Sequence, residues 1–146
     1  MKSRQKITRV QLETDSENEF ALLGLVSAEP DYRLSLQINK TLRISLKNNT
    51  PVTVKGTGAI ESHFSRFTYH SPGHDLTYNL ISNKSGNEYL LGKLKKIDYI
   101  FQVCCTEDNP DPVPVSNSLR SIDSITAVFV LESKDIKDKN LHYLIP

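Results

Sequence analysis

Residues Leu76–Cys105 read LTYNLISNKSGNEYLLGKLKKIDYIFQVCC, and the fold turns on how this stretch divides. Leu76, Tyr78 and Leu80 alternate with polar neighbours, and Tyr99, Phe101, Val103 and Cys105 again share one parity. A period of two places each set on one face of a strand. Between the two runs lie a polar turn, Asn83–Asn87, in which Gly86 is free to take positive φ, and a lysine-rich corner from Gly92 to Lys96. Just upstream, Phe67 and Tyr69 alternate against Arg66, Thr68 and His70. Ser62–His70 is therefore a further predicted strand, folded back by the Pro72-Gly73 turn chemistry of SPGHD.

Working outward, Phe20–Ser27 is a compact apolar run of strand length, and Gly24 inside it disfavours a helix. Lys6–Leu12 alternates imperfectly and predicts an earlier strand, paired with Phe20–Ser27 as a hairpin across the polar DSENE turn. Pro30–Leu46 supports two readings. Tyr32, Leu34, Leu36 and Ile38, then Leu42, Ile44 and Leu46, alternate as a hairpin would. Leu34, Ile38 and Leu42 also fall on one helical face, and Pro30 and Asp31 suit a first helical turn. The expectation is a helix over about 30–41. Lys47–Glu61, interrupted by Pro51, Gly56 and Gly58, is expected to be a long loop with at most a short strand at Val52–Val54. Glu107–Val115 is a proline-rich acidic loop, Ser116 is expected to cap a short helix carrying Leu119 and Ile122, and Ile125–Leu131 is a last buried strand. The charged segment that follows ends in LHYLIP, which can dock on the body of the protein.

The predicted order is β-β-α-β-β-β-α-β: an α+β, two-layer fold with a mainly antiparallel sheet of about six strands and two helices on one face. The 146 residues are expected to form a single domain, with 1–4 and 134–146 as tails. A chain of this length buries roughly 68–70% of its unfolded surface, enough for one core.

Eighteen basic and 17 acidic side chains leave a net charge of +1, which gives no general electrostatic reason to bind nucleic acid or membrane surfaces. No apolar run approaches the ~18–20 residues of a membrane span, and acidic residues precede Ala21–Ala28 where a secretory signal would avoid them. A cytoplasmic location is expected. The two cysteines, Cys104 and Cys105, are adjacent and point to opposite faces of a strand, so a disulfide between them would be strained; they are read as buried, inert thiols. The Asn39, Asn48 and Asn83 sequons carry no meaning in that compartment.

The segment Leu91-Gly92-Lys93-Leu94-Lys95-Lys96-Ile97-Asp98-Tyr99, with Leu90 before it, resembles the signature of the IPExxxVDY family of small bacterial proteins. Ile97, Asp98 and Tyr99 match its VDY, whereas Leu91, Gly92 and Lys93 stand where the family has Ile, Pro and Glu. The YLISNK-like stretch around Asn83 and the DYRL segment at Asp31–Leu34 extend the similarity to about two-thirds of the chain. The resemblance implies a shared fold, with a helix starting at DYRL, and no activity.

Motifs with chemistry are sparse. No G-x-S-x-G, GxxxxGK[ST] or H-E-x-x-H pattern occurs, and Gly56-x-Gly58 lacks the strand and helix of a nucleotide loop. His63, His70, His74 and Asp75 have metal-ligand chemistry, but Pro72-Gly73 forbids the helix on which HxxxH converges; turn histidines are the simpler reading, and neither metal nor cofactor is expected. Lys93, Lys95 and Lys96 near Arg66, Phe67, Tyr69 and Tyr99 offer a basic-aromatic surface for single-stranded nucleic acid, though solvated lysines and core aromatics explain the same residues.

The candidate binding residues are Asp98 and Tyr99 at the corner, then Asp31, Tyr32 and Arg33. The leading functional reading is a non-enzymatic binding or adaptor module acting on a protein partner or on itself, because sheet edges need cover. The alternative is a small-molecule-binding protein or enzyme with a pocket near Asp31-Tyr32-Arg33.

Overall fold

The computed structural model describes residues 20–56, 60–73, 75–106 and 110–145. The elements, in chain order, are β1 (Phe20–Ser27), α1 (Asp31–Leu42), β2 (Lys47–Lys55), β3 (Glu61–His70), β4 (Leu76–Ser82), β5 (Lys84–Ser85), β6 (Glu88–Tyr89), β7 (Tyr99–Cys105), α2 (Pro112–Arg120) and β8 (Ile125–Leu131). Short 3-10 turns follow at Gly92–Leu94, Ser133–Asp135 and Lys139–Leu144. The fold is α+β. Six strands form one antiparallel sheet in the order β2-β3-β4-β7-β1-β8, while β5 and β6 make a small separate hairpin.

The predicted strand at Lys6–Leu12 lies outside the described residues. Its predicted pairing with Phe20–Ser27 is corrected, because β1 is hydrogen-bonded to β7 on one side and to β8 on the other. Both of its edges are occupied. That position accounts for the composition of β1: a strand buried on both faces reads as a continuous apolar run rather than an alternation.

The two faces carry separate cores. On one, Leu23, Leu25, Leu80, Tyr99, Phe101 and Val103 meet Leu34 and Ile38 of α1 and Leu119 of α2. Both helices therefore cover the same face. On the other, Leu22, Phe64, Ile81 and Ile100 are covered by Leu90, Leu91 and Ile97 from the corner and by Leu144. Residues 133–145 are thus a packed segment rather than a tail: Leu144 is 2% exposed, its carbonyl accepting a hydrogen bond from Gln102 Nε2. That bond ends a polar row crossing four strands. Asn49 Nδ2 donates to Thr68 Oγ1 (2.9 Å), Thr68 to Asn79 Oδ1 (2.6 Å), and Asn79 Nδ2 to Gln102 Oε1 (3.0 Å).

Helix α1 follows from a local contest that the alternation alone loses. Pro30 takes the N-cap position with extended backbone, and Asp31 opens the first turn. Leu34 and Ile38 are fully buried, each stabilising by about 1.5–3 kcal/mol relative to exposure. Leu36, which the hairpin reading would bury, is 63% exposed. The helix ends with Arg43 in the left-handed region (φ 58°), and Asn39 holds the exit by accepting from Leu46 N (2.7 Å).

Two further expectations are corrected. Lys47–Lys55 is a nine-residue edge strand and not a loop; it pairs along β3 with a register shift between Asn49 and Val52, which accommodates Pro51. Helix α2 begins at Pro112, not near Ser116. Asp111 is its cap, accepting from Val113 N (3.0 Å), and Ser116 is buried in mid-helix with its hydroxyl donating to Val113 O.

Candidate functional site

The corner residues and the helix-start residues come together at one end of the sheet. Asp98 N donates to Leu25 O (2.9 Å), and Asp98 Oδ2 accepts from Ser27 N (2.9 Å). The carboxylate thus closes the end of β1, beyond which the backbone leaves for α1. Tyr99 rises beside it, and its hydroxyl donates to Glu29 O at 2.5 Å. Glu29 in turn lies 4.0 Å from Arg33, an exposed i,i+4 pair of small energetic weight. Asp31 is close enough to act electrostatically on Tyr99. Tyr32 is 55% exposed and turned away. Of the five predicted residues, Asp98, Tyr99 and Asp31 therefore share one locality, Arg33 joins it through Glu29, and Tyr32 does not.

The chemistry of this cluster is that of a latch. The hydrogen bonds of Asp98 and the Tyr99 hydroxyl are made to backbone groups of the β1–α1 connection, fixing where the helix starts relative to the sheet. None of the three surface grooves described below is lined by any of these residues.

Burial, followed by the negative charges of Asp31, Asp98 and Glu29, pushes the Tyr99 phenol up from 10.0 to about 12. The folded state thus keeps a proton that the unfolded chain gives up. The stability contributed is complete below pH 10 and is lost as pH rises through about 12. Denaturation midpoints measured across that window are expected to fall more steeply for the wild type than for Tyr99→Phe. Lysine deprotonation is common to both proteins and cancels in the comparison. Parallel curves would show that the hydroxyl is not held as described.

Sequence reasoning missed the polar centre of the corner, Asn83. Its side chain is fully buried; Oδ1 accepts from Leu91 N (2.7 Å) while Nδ2 donates to Leu94 O (3.0 Å) and Ile97 O (2.9 Å). Its own backbone N donates to Asp98 O (2.9 Å) and its carbonyl accepts from Leu90 N (2.9 Å). One asparagine thereby organises the whole 90–98 excursion. Its place in the NLISNK stretch, Asn79–Lys84, was the available signal.

The basic-aromatic surface predicted around Lys93, Lys95 and Lys96 does not assemble, because Phe67, Tyr69 and Tyr99 belong to the helix-side core on the opposite face. Of the histidines and Asp75, His74 lies outside the described residues. His63 and His70 share hydrogen bonds with Thr53 and Thr77 respectively, both at 3.0 Å. Among the described residues no group of three or more His, Cys, Asp or Glu is placed to hold a metal ion. Burial raises the Cys104 thiol to about 11, which keeps it protonated at neutral pH. Among the described residues no helix is long and apolar enough to cross a membrane.

The outer edge of β8 is apolar, with Arg120 of α2 donating to Val128 O (3.0 Å). Among the described residues its only strand partner is β1. The sequence ITAVFVL has no charge and no proline, and Phe129 and Val130, on opposite faces, are 49% and 40% exposed. The other edge, β2, carries Lys47, Pro51, Lys55 and a register shift, devices that discourage strand addition. Val130 and Leu131 also line two grooves. One of about 320 Å³ is bounded by Pro110 and Pro112 at the start of α2, and one of about 440 Å³ by Leu94 and Ile136.

In comparisons with known proteins, no family model and no curated protein matches this chain.

Proposed function

We propose that the chain is a non-enzymatic binding module that takes an extended segment onto the outer edge of β8, with a second copy of itself as the first occupant. The contrast between the two edges of the same sheet carries this reading: β2 bears lysines, a proline and a register shift, whereas β8 is uncharged and is engaged from α2 at one carbonyl, Val128 O, by Arg120 (3.0 Å). In strand addition, main-chain hydrogen bonds supply affinity and depressions for alternate side chains supply specificity. The grooves beside Val130 and Leu131 fit that second requirement.

Phe129→Lys tests the proposal. Phe129 is half exposed and outside both cores, so folding is expected to survive. Sedimentation of the wild type should show a reversible dimer, and the variant should weaken it by about tenfold or more. A protein that stays monomeric at every concentration, with β8 amides already slow to exchange, would refute the reading, since the edge would then be covered within the chain.

Membership of the IPExxxVDY family is a proposal of the same standing, supported by the roles of the shared residues. Ile97 is a core residue, and Asp98 and Tyr99 form the latch. Of the departures, Leu91 keeps an aliphatic side chain in the core, a side chain at Gly92 would meet nothing within 4 Å, and Lys93 is exposed.

A further inference from the structure

The largest of the three grooves, about 900 Å³, lies far from β8 in the sheet order, over β2 and β3. Val54, Ser62 and Phe64 contribute to it from the sheet, Glu88, Tyr89, Gly92, Lys93 and Lys95 from the corner, and Lys137–Asn140 from the C-terminal segment. Five lysines line it: Lys55, Lys93, Lys95, Lys137 and Lys139. Only two carboxylates, Glu88 and Asp138, accompany them.

Asp138 is committed to architecture. Its Oδ2 accepts from Lys93 N (3.0 Å) and its Oδ1 from Asn140 N (2.9 Å), while Asn140 Nδ2 donates to Leu90 O (2.8 Å). These bonds tie the C-terminal segment to the corner, so lysines from three separate parts of the chain are held around one concavity. Among the described residues the ammonium groups have no comparable internal use. Neither ion pair found among the described residues, Arg33–Glu29 or His63–Glu61, involves a groove lysine. Lys95 alone meets an aromatic ring, that of Tyr89, at 5.9 Å from its centre.

Convergent lysines repel one another unless an anion joins them, and lysine binds phosphate as a strongly hydrated point charge. We propose that this groove is a binding site for a compact polyanion carrying two or more phosphate groups. The charge distribution over the whole chain selects compactness. Of 18 basic and 17 acidic residues, five basic and two acidic line the groove, leaving 13 basic against 15 acidic elsewhere. A short anion meets an excess of positive charge. A long strand of nucleic acid leaving the groove meets an excess of negative charge and gains nothing from its length.

The probe is inorganic tripolyphosphate, titrated calorimetrically into the full chain at low and at physiological ionic strength. Saturable binding is expected, weakening as salt rises because the contacts are exposed to screening. The double variant Lys95→Gln, Lys137→Gln removes one charge from the corner and one from the C-terminal segment, both at exposed positions. It is expected to weaken binding by about tenfold or more, while Lys40→Gln, on α1 and outside the groove, leaves it unchanged. Absence of binding, or equal losses in the groove variant and the Lys40 control, overturns the site. A single-stranded oligothymidylate that binds more tightly as it is lengthened overturns the compact ligand class.

Discussion

Asn83→Ala is expected to destabilise the protein by about 3–5 kcal/mol, the largest effect of any polar substitution considered. Alanine leaves Leu91 N and Ile97 O without their side-chain partner at a buried position, and leaves Leu94 O with only the hydrogen bond from Ile97 N (3.0 Å). Each orphaned buried group costs about 1–3 kcal/mol, and partial relaxation of the corner keeps the total below the sum. A denaturation midpoint that drops with an unchanged slope would identify the loss as one of native stability. Asn83→Asp sharpens the test. A carboxylate still accepts from Leu91 N but turns a negative oxygen toward two carbonyls. Its burial would raise its own pKa, so the variant should regain stability as pH falls and the acid becomes a donor. A cost below about 1 kcal/mol for the alanine variant would mean that the corner does not depend on this side chain.

Gly24→Val is expected to be about as damaging as losing a core side chain, by overfilling instead of emptying. A Cβ at position 24 would stand 2.7 Å from Ile97 Cδ1 and 3.2 Å from both Cγ1 and Cγ2. The strand cannot retreat, because Gly24 is paired with Ile100 on β7 and with Phe129 on β8. Overpacking of this kind costs about 1–3 kcal/mol for small additions, with alanine toward the lower end and valine at or beyond the upper. The diagnostic result is non-additivity. In an Ile97→Ala background the space is vacated, and the penalty at position 24 should shrink by about 0.5–3 kcal/mol. Equal penalties in both backgrounds would show that the contact is not the cause.

These two residues also mark what could and could not be read from the chain. Alternation made β3, β4 and β7 legible, because their side chains sort between a helix-covered face and a second face. Helix α1 was legible from Pro30, Asp31 and the 34–38–42 spacing, despite an alternating pattern, since capping chemistry and burial of one stripe outweigh a period shared by exposed Leu36. β2 was hidden: of its nine residues only Val52 is buried, so an edge strand looks like a loop with a proline in it. The α2 cap was misplaced because Asp111 sat among prolines and acids whose composition suggested irregular structure. The neighbours of β1 were not legible, since the choice of β7 and β8 rests on contacts seventy and more residues away. Asn83 was passed over for a related reason. An asparagine in a polar turn is commonplace, and nothing local reveals that the following excursion closes over it.

The candidate residues fared similarly. Asp98 and Tyr99 were read as candidate binding residues at a corner, and in the structure their side-chain hydrogen bonds end on backbone. The lysines of the groove were visible singly, but their convergence joins residues 55, 93, 95, 137 and 139, which only the docking of the C-terminal segment brings together.

The interior placement of β1, between β7 and β8, has a consequence for biosynthesis. Its aliphatic FALLGLV segment emerges from the ribosome roughly eighty residues before β7 and more than a hundred before β8. At roughly 5–20 residues per second, that is an interval on the order of 4–20 s without either pairing partner. β2, β3 and β4 can pair in sequence as they emerge, but the sheet closes around β1 only once translation has delivered both β7 and β8. Such long-range closure places the chain among slow, topology-limited folders. The period of greatest exposure to aggregation therefore precedes the native state, when a strand destined for pairing on both edges is still a lone apolar thread awaiting capture.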